Sequence, residues 1–98
     1  MNDKSNPIDL AINNIKLNNF DEFSEYISKL RFLKSDYKSA KKKSDKERYK
    51  NDFFYLVKIM VEKFSLQQID RGINTASIAY DVDEMLSFLE DVFDKVKR

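Results

Sequence analysis

Between Asp81 and Asp94 the chain carries six carboxylates and no base. On a helix advancing about 100° per residue, Asp83, Glu84, Glu90, Asp91 and Asp94 fall within about 120° of arc opposite an apolar seam. Tyr80 and Ser87 lie inside the same arc. An acidic stripe with a tyrosine at one end suits a basic protein surface, because complementary charge speeds encounter and tyrosine is enriched at binding hot spots. The plainer expectation is a solvated helix face whose early acids complement the positive helix N-terminus.

The opposite sign gathers earlier. Lys34–Lys50 holds eight basic and three acidic residues, a net of +5, in a chain whose overall charge is +1. Lys38, Lys41, Lys42, Lys43, Lys46, Arg48 and Lys50 form a candidate nucleic-acid contact, salt-sensitive and indifferent to base sequence. As a structural feature the same run is a solvated connector between helices. The acidic and basic blocks can also neutralise each other within the fold, or serve two partners.

Other chemistry is excluded by what is missing. With no His and no Cys, the usual zinc ligand sets and every Ser-His or Cys-His nucleophile pair are impossible. A single Gly rules out the dinucleotide fingerprint and the phosphate-binding loop, and no stretch spaces oxygen ligands as an EF-hand does. The sequence predicts a protein that is not an enzyme and holds neither cofactor nor metal.

Residues 65–86 resemble winged-helix repressors in layout. There is a short capped helix, a glycine turn and a second helix opening Thr75-Ala76-Ser77-Ile78. The turn is about two residues short of a helix-turn-helix, and Asp70 stands where the helices need a small residue to cross. No Lys or Arg occurs between Arg71 and Lys95, so the second helix is acidic and would be repelled by phosphate. Major-groove readers rely on Arg, Lys, Asn and Gln, and this segment is not expected to read DNA.

The elements that position these residues are helices. One Gly and one Pro in 98 residues leave few turns, which favours long helices over an all-β fold. Asn6-Pro7 is a cap followed by a first-turn proline, and Ile8, Ala11, Ile12 and Ile15 carry that helix to a turn at Asn18-Asn19, where left-handed backbone is tolerated. A second helix from Phe20 places Phe23, Ile27, Leu30 and Tyr37 on one seam, with Leu33 at its edge. Phe32 points about 160° away, so the helix bends or stops near Leu33, or Phe32 meets a second surface.

Phe53–Phe64 is the densest apolar segment, with an apolar arc too wide for a simple surface helix. The spacing predicts a central helix over Asp45–Phe64, opened by a capping box at Ser44–Glu47. A similar box at Ser65-Leu66-Gln67-Gln68 predicts a short helix to Arg71, stopped by Gly72. The last helix is capped by Asn74 or Thr75, or later at Asp81. It is marked by Ile78, Val82, Met85, Leu89, Val92 and Val96, with Leu86 and Phe93 widening the stripe.

The expected fold is an all-α bundle of four main helices plus one short helical turn, with residues 1–6 disordered and 7–98 forming one domain. The N-terminus lacks a signal-peptide core and no run approaches the ~20 apolar residues that span a bilayer, which predicts a cytoplasmic protein without a membrane partner. The leading expectation for function is a small non-catalytic protein-binding module, of inhibitor, adaptor or immunity type, docking a basic partner through the acidic C-terminal helix. The alternative is a nucleic-acid-associated regulator using residues 38–50. A homodimer paired through Phe32, or through spare faces of the central helix, is compatible with either.

Overall fold

The computed structural model describes residues 7–66 and 81–98. Among these there are four α-helices and no strand: α1 (Pro7–Asn18), α2 (Phe20–Ser39), α3 (Lys43–Lys63) and α4 (Val82–Lys97). The all-α bundle is therefore the fold. The expectations for residues 1–6, for the short helix to Arg71 with its Gly72 stop, and for a cap at Asn74 or Thr75 lie outside the described residues.

The helix ends follow local chemistry, with three departures from expectation. Pro7 opens α1, where its missing N–H costs nothing. Asn19 alone joins α1 to α2, and its backbone (φ −134°, ψ 20°) is not left-handed. Its N–H instead donates to Ile15 O at 3.0 Å while its own carbonyl accepts from Phe23 N–H at 2.9 Å, so one residue closes one helix and opens the next. The capping box at Ser44 does not form. The α2–α3 turn is confined to Ala40–Lys42, so Ser44 is already inside α3, past the position from which a hydroxyl caps, and the cap residue Lys42 makes no side-chain hydrogen bond.

Ser65 is likewise not the extended cap of a new helix. Its φ of 57° makes it the left-handed residue that ends α3 after Phe64. At α4 the later of the two expected starts is found, because Asp81 Oδ1 accepts a hydrogen bond from Glu84 N–H at 2.7 Å.

Among the described elements the centre of the bundle is α2, which packs against each of the other three helices, while α3 and α4 meet only marginally. This corrects the expectation that the Phe53–Phe64 helix is central. Phe23, Ile27 and Leu30 are fully buried along the middle of α2, and Phe20, Tyr26, Leu33 and Tyr37 pack against the core on either side. That apolar face is broad enough for two neighbours. The second apolar edge of α3 stays near the surface of the described elements. Tyr55 is 68% exposed and Ile59 half-buried.

Both neighbours run antiparallel to α2. Phe64, just after α3, meets Phe23 and Tyr26 near the start of α2, whereas Lys46 near the start of α3 reaches Tyr37 near the end of α2. Phe93 near the end of α4 stacks on Phe20 at 5.7 Å, and Asp83 at its start meets Lys38. The core joins Ile15, the α2 seam, Phe53, Val57, Met60, Val61 and Phe64 to the α4 stripe from Val82 to Val96, and no charged or polar residue is buried among the described residues. Each large side chain taken from water here contributes about 1.5–3 kcal/mol.

Candidate functional site

The acidic helix is divided by its surroundings. On the edge facing α2, Glu90 Oε2 accepts from Arg31 Nε at 2.7 Å. Asp83 takes two lysines, Lys38 Nζ at 2.7 Å on one oxygen and Lys34 Nζ at 3.1 Å on the other. The hydrogen bonds from Lys38 and Lys34 hold the Asp83 carboxyl below the ordinary aspartate value, and the Asp83 bond raises Lys38 in turn. Asp94 pairs within its own helix with Lys97 at 3.7 Å. Two expected acids remain, Glu84 and Asp91, whose carboxylates join no ion pair among the described residues.

Glu84 and Asp91, two turns apart, lie on the opposite edge of α4. With Asp83, Ser87 and Phe88 they line a shallow depression of about 450 Å³. Phe88 is half-buried, its ring packed on the core. It was not among the expected site residues, although its spacing from Met85 and Val92, three and four, is a helical signal for the rim of the apolar stripe. Tyr80 lies outside the described residues.

The basic block is divided in the same way. Lys38 is turned to α4. Lys46 Nζ donates to Tyr37 O at 3.1 Å and lies 4.9 Å from the centroid of the Tyr37 ring. Arg48 folds along its own helix, 3.9 Å from Asp45 and 5.0 Å from the Tyr49 centroid, and its hydrogen bond to Tyr49 raises its pKa. Lys43, Lys46 and Lys50 border a notch of about 160 Å³ with Tyr37 and Glu47, and Lys41 and Lys42 are exposed in the connector. Of the seven expected cations, Lys38, Lys46 and Arg48 thus have partners within the fold, while Lys41 and Lys42 stand exposed.

Phe32 is resolved by the continuity of α2. The helix runs unbroken past it to Ser39, and the ring is 72% exposed. Beside it, Arg31, Lys34 and Lys38 line a cleft of about 420 Å³ with Ser35, Ser39, Leu86 and Glu90. Arg31 is the one member of this row that lay outside both charge blocks, and only the approach of α4 gives it a role.

Among the described residues, no group of three or more acids is placed to hold a metal ion, and no helix is long and apolar enough to cross a membrane. Comparison with protein-family models, with curated proteins and with solved structures finds no match. The class defined by the fold is a small all-α bundle, and its two charged surfaces are the features from which function must be argued.

Proposed function

We propose that the protein is a non-catalytic binding module of inhibitor, adaptor or immunity type, and that it docks a basic partner surface through α4. The observation that carries this is the placement of Glu84 and Asp91, without ion partners among the described residues, on either side of the half-buried Phe88. The carboxylates attract and orient Lys or Arg of the partner, and the ring with Ser87 offers a small apolar floor for their aliphatic stems. Asp83 and Glu90 have their own cations in α2 and serve the fold first.

The test is capture from nuclease-treated extract of the source cell on immobilised wild-type protein and on Glu84→Lys/Asp91→Lys. Neither side chain is buried, so helix content stays unchanged. The expected result is a basic protein held by the wild type and lost from the variant, with an association rate that falls as salt rises. Equal retention by both proteins sinks the proposal.

A further inference from the structure

The side of α2 that runs from its border with α4 out to Phe32 carries a second surface of opposite sign, independent of the α4 reading. Two clefts meet there. One, of about 310 Å³, is lined by Ser28, Arg31, Phe32 and Ser35. The other, of about 420 Å³, is the cleft between α2 and α4 that holds Arg31, Lys34, Ser35 and Lys38. Because Arg31 and Ser35 belong to both, the clefts adjoin across this side of the helix and make one trough between Phe32 and α4.

From this trough we infer a binding site for single-stranded nucleic acid, with Arg31, Lys34 and Lys38 on phosphates and Phe32 stacked on a base. Arg31 and Lys38 are seven residues apart, about 10 Å along the axis. At about 3.4 Å per nucleotide of a stacked strand, that row serves about three phosphates. Beyond Lys38 the exposed Lys41 and Lys42 continue the positive track. The hydroxyls of Ser28 and Ser35 are of the kind that donate to phosphate and sugar.

Phe32 decides between a strand and an acidic protein. Its neighbours in the trough are Ser28, Arg31 and Ser35, small or cationic, and no second exposed large hydrophobic of α2 accompanies it. Protein hot spots sit in packed apolar surroundings that exclude water, whereas one ring among cations and hydroxyls is the stacking platform of single-strand binders. Asp83 and Glu90 compete for the cations. Their pairs are open to solvent, with side-chain exposures of 37–52%, and such pairs are weak and exchange readily.

Fluorescence anisotropy of labelled thymidine and uridine dodecamers, titrated with the full chain from about 20 mM salt upward, tests the site, and its quantities follow from counterion release. With three phosphates neutralised, log K should fall against log salt with a slope of about −2. Phe32→Ala should weaken binding about tenfold and leave that slope unchanged, as loss of one stacked base does. Lys34→Gln should make the slope shallower by about 0.7. Glu90→Gln should tighten binding by freeing Arg31, and Tyr55→Ala, the control on α3, should change nothing.

A preference for thymidine or for uridine would identify the strand as DNA or RNA, and either supports the site. No binding at the lowest salt overturns it, as does duplex bound as tightly as strand, or Phe32→Ala without effect. Competition by polyglutamate, charge for charge as strong as by the dodecamer, also overturns it and points to an acidic protein instead. All the substituted side chains are exposed or half-buried, and circular dichroism should show every variant folded.

Discussion

The two flanks of α2 are closed by different means. Toward α3 the closure is aromatic, with Phe64 edge-on to Phe23 at 5.0 Å and to Tyr26 at 5.7 Å, and one ion pair, Lys63 to Glu22 at 3.0 Å, on the rim. Toward α4 rings meet only at one end, where Phe93 lies 5.7 Å from Phe20 and 5.9 Å from Phe23. From Arg31 onward that rim is closed by exposed ion pairs over the buried stripe of α4. Burial acts in proportion to area and ignores salt, while exposed pairs are screened and add little free energy. Both flanks therefore draw their stability from buried side chains, and the rim charges of the α4 flank supply orientation.

The contrast breaks most visibly in the core. Met60→Asp and Leu89→Asp each put an unpaired charge where the native side chain has no exposure. Each should abolish the cooperative thermal transition, and a wild-type transition in either would mean the buried faces are misassigned. Phe64→Ala removes both edge contacts and should cost about 3–5 kcal/mol by denaturant titration. That loss should be the same at low and high salt. A strong salt dependence would mean that charge, not burial, closes the α3 flank.

Smaller effects sharpen the other side. Glu90→Gln should lower stability by roughly 0–1 kcal/mol at low salt and by nothing measurable at high salt. Asp83→Asn isolates a pH effect. The folded carboxyl titrates below its ordinary value of 3.8 because Lys38 and Lys34 bond its charged form. Its contribution is thus fully present above 3.8 and disappears as the pH falls through the lowered folded value. The gap in melting temperature between wild type and Asp83→Asn should be constant near neutrality and close only in acid. A gap that closed near pH 6 would exclude Asp83 as the titrating group.

Much of this organisation was legible in the residue pattern, and the rest depends on pairing. The α4 seam from Val82 to Val96 has a period that admits only a helix, and Pro7 and Asp81 mark their helix starts with side chains. Helix order and class followed from that. The identity of the central helix did not, because apolar density favours Phe53–Phe64, whereas centrality depends on how many neighbours a face receives. The acidic stripe was visible as a stripe. Its division into Asp83 and Glu90 on one side and Glu84 and Asp91 on the other was not, since no helical wheel shows which edge α4 turns toward Arg31, Lys34 and Lys38. Phe32 misfits the seam already in the sequence, and only the unbroken course of α2 shows that it faces solvent.

The short turn at Ala40–Lys42 also sets an order of events in time. It makes α2 and α3 a hairpin whose contacts close at small loop entropy, and local contacts of this kind form fast. The contacts from α2 to α4 join residues 59 and 45 positions apart, so they must wait for most of the chain to be threaded into place. Tyr37→Ala, which removes the ring 4.9 Å from Lys46 Nζ across this turn, should accordingly slow refolding in stopped flow, as a residue of the folding nucleus does, whereas Glu90→Gln should act mainly by hastening unfolding. On this ordering the cation row of α2 is assembled and exposed before α4 arrives to cover its edge. For that interval the nascent hairpin carries Arg31, Lys34 and Lys38 without their carboxylates, and it is more basic than the finished protein.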